Sequence, residues 1–203
     1  MNKIDLHKYL SDFILEDSSR QPNRTNVDVV KFNGADVPRF TNEYWTSKQR
    51  QNNPIHEVSY RACFKAELPR FFISLLTEEG DVVYDPFAGR GTTIIEAALL
   101  NRNVIANDVN PLSTLLSKPR LVVPSLADVE NRLRMIKFRN GLKADIDLSM
   151  FYQPDTESEI VSLRNYLIKR KKNKEEDFVD EWIRMVATNR LTGHSKNFFS
   201  VYT

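Results

Sequence analysis

Two carboxylates, two glycines and a pair of threonines fall in one stretch, DVVYDPFAGRGTTIIEAALLNRNVIANDVNP, from Asp81 to Pro111. Asp85 and Asp108 stand 23 positions apart. Gly89 and Gly91 allow a tight loop and close approach of a ligand to the backbone. Thr92 and Thr93 follow where hydroxyls can cap a helix. A helix start offers free N–H groups and positive potential to an anion. A carboxylate placed after a second strand can accept hydrogen bonds from ribose hydroxyls. The chemistry indicated is the binding of a nucleoside-bearing cofactor.

The elements that would position these groups are legible around them. Val82, Val83 and Tyr84 form a β-branched and aromatic run that Asp85 and Pro86 stop. Ile94 to Leu100 carry apolar residues at helical spacing. Val104, Ile105 and Ala106 read as a second strand, so the whole is a βαβ unit. The dinucleotide pattern GxGxxG is absent, because Gly91 is followed by Thr92, Thr93 and Ile94. A nicotinamide or flavin dinucleotide therefore fits less well. No Gly-Lys-Ser/Thr occurs, which removes the phosphate loop of nucleotide hydrolases. A generic Rossmann-like unit with some other ligand is the bland alternative.

The loop DPFAGRGTT closely resembles the S-adenosylmethionine loop of amino-group DNA methyltransferases, which make N6-methyladenine or N4-methylcytosine. NVIANDVNP resembles the family's second strand with its ribose-binding acid. The resemblance implies an α/β, Rossmann-like methyltransferase fold and a role in DNA methylation within restriction–modification. It implies that Asp85 orients the methionine amine and that Gly89 and Gly91 let the backbone approach. Pro86 and Ala88 complete that loop. Thr92 and Thr93 would face the cofactor carboxylate, Asp108 would take the ribose hydroxyls, and Phe87 and Val109 would give apolar contact around the sulfonium and adenine. In this family a Pro-started helix before the loop closes over the methionine end of the cofactor. His56, Tyr60, Phe64 and Lys65 fall where that segment would sit. Lys65 has the best physical case, since the cofactor carboxylate needs a cation or amide donors. Each of the four taken alone reads more readily as structural than as a ligand contact.

The same family carries a second motif, Asp/Asn/Ser-Pro-Pro followed by an aromatic, which holds the target amine and stacks on the flipped base. This chain has nine prolines and no two are adjacent, so that motif is missing. A methyltransferase sheet is expected to have about seven strands, whereas about three parallel ones are legible, at Val82, Val104 and Leu121. The expectation is an N-terminal portion of a larger methyltransferase, inactive or weakly active alone. Its open sheet edge would be covered by a second copy, another methyltransferase chain or a C-terminal segment. An RNA or protein methyltransferase using the same loop, or a non-catalytic subunit supporting a catalytic partner, are the competing functions.

The 203 residues suffice for one domain with an appendage, and 41% hydrophobic content can supply a core. A formal charge of +2 is nearly balanced, so this is no polybasic arm. Cys63 alone excludes an internal disulfide and reads as a buried small apolar residue. His7, His56 and His194 lie far apart, so no metal is expected. No signal-peptide core or membrane-length apolar run appears, and the chain reads as cytoplasmic and membrane-free.

Three segments are expected: an N-terminal helix and extended arm (1–43), a cofactor-binding core (44–140) and a helical segment (141–203). Helices are expected over 4–16, around Leu68–Leu76, over Leu112–Leu116, over 126–140, over 157–172 and over 174–189. Val27, Val29 and Val30 could form a short strand before the Asn33-Gly34 turn. Residues 44–57 interleave Tyr44 and Trp45 with Lys48 and Arg50, as a nucleic-acid or cofactor contact or as a solvated basic face. The run KRKKNK (169–174) then meets EED (175–177). Cations at one helix C-terminus and anions at the next N-terminus match the helix dipoles, and a DNA contact is the alternative.

Overall fold

The computed structural model describes residues 5–15, 23–45, 53–60 and 63–191. Lys48 and Arg50, and the last twelve positions, lie outside the described residues.

The N-terminal helix α1 (Leu6–Asp12) is shorter than the apolar pattern suggested. Asp5 caps it by accepting from the Lys8 N–H at 3.2 Å. Behind it come two antiparallel strands, β1 (Asn26–Phe32) and β2 (Ala35–Thr41), with Val30 opposite Val37. Asn33 and Gly34, both at positive φ, make the two-residue turn whose twist suits a hairpin. Asp28 and Arg39 face each other across it and pair, Nε to Oδ1 at 2.8 Å. The partner strand was not legible because Pro38 argues against a strand, yet a two-stranded hairpin is all edge and tolerates it.

Phe13, just after α1, meets Tyr44 at 4.9 Å and Phe71 at 5.6 Å between ring centroids. Trp45 joins the same cluster against Phe71 and Phe72. Tyr44 and Trp45 therefore fasten the N-terminal arm onto helix α2 (Glu67–Leu76).

The second sheet is parallel. Strand β3 (Val82–Asp85) pairs with β4 (Asn103–Ala106), Val82 beside Asn103 and Asp85 beside Ala106. Helix α3 (Thr92–Leu99) forms the crossover and buries Ile94, Ile95 and Ala97. Each isoleucine contributes about 1.5–3 kcal/mol by leaving water. The opposite sheet face is open: Val82, Tyr84 and Ile105 are all more than half exposed.

The expected third strand is not there. Helix α4 (Pro111–Ser117) runs into a 3-10 turn at Lys118–Leu121, and Val122 and Val123 are exposed and unpaired. Pro119 and the inward pull on Arg120 hold the segment coiled, and no described strand lies beside it. The architecture is thus mixed α/β with two two-stranded sheets among the described residues, not a three-stranded parallel sheet.

Three more helices follow: α5 (Leu126–Met135), α6 (Pro154–Lys172) and α7 (Phe178–Arg190). Helix α5 stops five residues before the expected Asn140, since Ile136 turns extended and inserts into the core. Asp177 closes a capping box on α7. Arg132 of α5 and Arg170 of α6 both reach the fully buried Asp180 of α7, with Arg170 Nε at 2.7 Å. Val58, Leu116 and Met185 form a core cluster, which seats α7 and α4 under residues 58–60. No described helix is long and apolar enough to cross a membrane, and no group of described residues is arranged to hold a metal.

Candidate functional site

Two carboxylates help to shape the βα turn after β3, its own Asp85 and Asp108 from beyond β4. Asp85 Oδ1 accepts from the Phe87 N–H at 3.0 Å, bending the chain off the strand. The Ala88 N–H then bonds the Asn107 carbonyl at 3.0 Å, tying the loop to the end of β4. Gly89, at φ +51, donates to Asp108 Oδ2 at 2.7 Å. Asp108 Oδ1 accepts from the Asn110 N–H at 2.8 Å, and Asn110 itself caps α4. These backbone bonds, Asn110 first and Gly89 second, hold the Asp108 carboxyl below the usual aspartate range. Each oxygen keeps a further lone pair for a ligand.

Phe87, two residues before Gly89, and Val109, next to Asp108, are 82% and 92% exposed. Two bare apolar side chains beside an ionised acid suit a ligand with a flat apolar ring and vicinal hydroxyls. Pro86 is exposed in the turn and Ala88 is buried beneath it. Helix α3 begins at Gly91 with no side chain capping its N-terminus. Its first-turn N–H groups are thus free of a side-chain acceptor, and Thr93 is half-buried there.

Two expected contacts take a different place. Thr92 is buried, and its hydroxyl accepts from Arg90 Nε at 3.1 Å. Gly91, at φ +83, is required by packing: a Cβ there would lie 2.6 Å from Ser117 Cβ. At Gly89 an added Cβ would meet only Tyr60, at 3.6 Å. Gly89 is therefore the open glycine of the loop and Gly91 the packed one.

Arg90 and Arg120 were not visible as site residues in the sequence. Both are buried. Arg90 Nη1 donates to the carbonyls of His56 at 3.4 Å and Val58 at 3.2 Å. Arg120 donates to the carbonyls of Leu116 at 2.8 Å, Ile55 at 3.1 Å and Arg90 itself. Burial pushes the Arg120 guanidinium down to about 10, with the Arg90 charge adding to the effect, so it stays charged at neutral pH. The two arginines lace residues 55–58 to the loop through carbonyls, which no spacing rule reveals.

His56 is fully buried and bonds Glu96 Oε1 at 2.6 Å, while Arg70 reaches Oε2 at 3.0 Å. This places His56 in the support of the loop rather than on its open side. Tyr60 is half-buried beside Gly89, Phe64 is exposed, and Lys65 is half-buried just before α2. Cys63 is exposed, contrary to the expectation of a buried residue. Its Sγ lies 3.5 Å from the Tyr60 carbonyl.

The family model for DNA methylases of the N6/N4 type matches residues 12–113, which include the hairpin, α2, the loop and Asp108. The chain is 26% identical over 170 residues to the Type II methyltransferase M.HpaI of Haemophilus parainfluenzae, covering 81% of this chain and 49% of that protein. It is 29% identical over 156 residues to the Type II methyltransferase M.MvaI of Kocuria varians, covering 68% and 33%. Against M.MjaII of Methanocaldococcus jannaschii it is 28% identical over 76 residues, covering 37% and 14%. The chain therefore spans half or less of the length of these relatives.

Proposed function

The chain belongs to the N6/N4 family of DNA methylases, and from that premise we propose that residues 85–109 hold S-adenosylmethionine for methyl transfer to an exocyclic amine of DNA, adenine N6 or cytosine N4. The observation that carries this is the ionised Asp108 bridged to the Gly89 amide, with the exposed side chains of Phe87 and Val109 close by in the chain. In this reading the Asp108 carboxylate accepts the ribose hydroxyls. Phe87 and Val109 sandwich the adenine and the sulfonium region. Asp85 orients the methionine amine. The uncapped first turn of α3, with Thr93, faces the methionine carboxylate, and Lys65 supplies the cation. Pro86 and Ala88 set the turn. The bound cofactor would supply an electrophilic methyl group, and the chain's part is to fix its orientation and exclude competing ligands.

The two-stranded parallel sheet is read as one side of a Rossmann-like methyltransferase sheet. Further strands of that sheet would pair at its β3 edge, and its open face at Val82, Tyr84 and Ile105 would take packing helices. With no adjacent prolines in 203 residues, the groups that would hold the target amine come from polypeptide other than this stretch. That polypeptide is a linked portion of the same protein or another methyltransferase chain; a second copy could cover the sheet edge but, sharing this sequence, brings no such motif. The same absence favours, as a second reading, a supporting role for a catalytic partner. An N6/N4 methylase of a restriction–modification system would work in the cytoplasm.

The test is isothermal calorimetry of the purified chain with S-adenosylmethionine, S-adenosylhomocysteine and NAD. Saturable binding of the first two and none of NAD is expected. Binding of NAD alone, or of none of the three, overturns the cofactor assignment. Copurification with a protein carrying the Pro-Pro-aromatic motif would favour the supporting role.

A further inference from the structure

The cleft between the end of α5 and helix α6 has a composition that the cofactor site does not use. Its volume is about 570 Å³ and its lining includes Lys137, Arg139, Lys169 and Arg170. The single carboxylate lining it, Glu175, is already matched by Arg170 at 3.6 Å. Arg170 is further committed to Asp180. Lys137, Arg139 and Lys169 have no carboxylate partner among the described residues, and all three are exposed. Tyr166 lines the same cleft, with its hydroxyl oxygen buried and without a hydrogen-bond partner.

The cleft is built, not accidental. After Ile136 anchors in the core, residues 139–142 run along α6, fastened by two serines. Ser162 Oγ accepts from the Arg139 N–H at 3.1 Å. Ser158 Oγ accepts from the Leu142 N–H at 2.9 Å and donates to the Arg139 carbonyl at 2.7 Å. Both serines are buried. This holds the cations of an extended segment against those of a helix. Lys169, in the last turn of α6, matches the helix dipole. Lys137 and Arg139 lie outside any helix, so dipole matching does not account for them.

We propose that this cleft docks the phosphate backbone of duplex DNA, with Lys137, Arg139 and Lys169 contacting phosphates and the Asn165 amide as a neutral donor. Such contacts position a duplex without reading its sequence. Charge complementarity selects the partner class, and cations spread over two elements suit a chain of phosphates better than one small anion. The inference rests on DNA being the substrate, as proposed above.

The test is fluorescence anisotropy with a duplex of about 20 base pairs, titrated over a range of salt. Wild type is compared with the triple variant Lys137→Gln, Arg139→Gln, Lys169→Gln and with Arg164→Gln. Arg164 lies on another face of α6, in the groove toward α7. The triple variant should bind at least about tenfold more weakly at low salt, and its slope of log K against log salt should fall by about three. Arg164→Gln should bind like wild type. Equal binding by wild type and the triple variant overturns the cleft and leaves DNA binding standing. No binding by wild type overturns both. Tighter binding of an RNA duplex of the same sequence overturns the choice of DNA. Calorimetry of S-adenosylmethionine on the same variants should be unchanged, which keeps the cofactor assignment separate.

Discussion

The carboxylate of Asp108 accepts the amide proton of Gly89 at 2.7 Å, joining the ends of two parallel strands 19 residues apart. The acid expected to receive a ribose is thus also the strut that shapes the loop. Asp108→Ala should weaken S-adenosylmethionine binding by about tenfold or more in calorimetry, because a charged acceptor is lost twice over. Backbone hydrogen bonds from Asn110 and Gly89 hold this carboxyl low, so its contribution is fully present above the ordinary aspartate range and is lost as pH falls through the depressed value. Affinity should be flat between about pH 6 and pH 8 as far as this group is concerned. A loss of affinity centred in that interval would show that another group governs binding.

The two loop glycines should respond differently to alanine. Gly91→Ala combines a left-handed backbone with a Cβ 2.6 Å from Ser117. It should cost about 2–4 kcal/mol in urea unfolding. Gly89→Ala meets no close neighbour and should cost only about 1–2 kcal/mol, while still weakening cofactor binding. Equal stability losses at the two positions would contradict the packing assigned to Gly91.

Arg120 serves three carbonyls from one planar fork. Arg120→Lys keeps the charge but cannot span them. Each buried carbonyl left unpaired costs about 1–3 kcal/mol, so a large drop in melting temperature is expected. A melting temperature like that of wild type would show that these carbonyls find other partners.

Glu96 titrates in a setting where opposing effects compete. Burial raises its carboxyl, but hydrogen bonds from His56 and Arg70 and their charges outweigh that and hold it below the ordinary glutamate range. The stabilisation is present above the unfolded value and lost as pH falls through the depressed one. Glu96→Gln should destabilise by about 1–3 kcal/mol at neutral pH. It should also flatten the acid limb of stability below about pH 5. Denaturant midpoints measured from about pH 3 to pH 7 check both. An unchanged acid limb would remove Glu96 from the acid response.

The strands β3 and β4, helix α3 and the loop between them were legible because local pattern and local structure agree there. Val82–Tyr84 are β-branched or aromatic, and the stop at Asp85-Pro86 is where the turn falls. Helices α6 and α7 were placed within a few residues, their starts moved to Pro154 and Phe178 by proline at the first turn and by the Asp177 cap. Leu121–Pro124 misled because a short apolar run says nothing about whether a neighbouring strand exists, and here none is paired with it. Thr92 misled for a related reason. Its place at the helix start was right, but its partner, Arg90, is set by tertiary burial. The arginine lacing was illegible because main-chain carbonyls carry no sequence signature.

That lacing has a kinetic consequence. The carbonyl of Ile55 meets Arg120 across 65 positions of chain, and Arg90 meets it across 30. Hairpin β1–β2 and helix α3 close over short distances and can form early, whereas the loop acquires its fixed shape only after the long ring from Ile55 to Arg120 has closed. During refolding, competence to capture the cofactor should therefore trail the return of helical signal. The cofactor becomes a reporter for the last stage of assembly, and it should slow unfolding by holding shut the contacts that formed last.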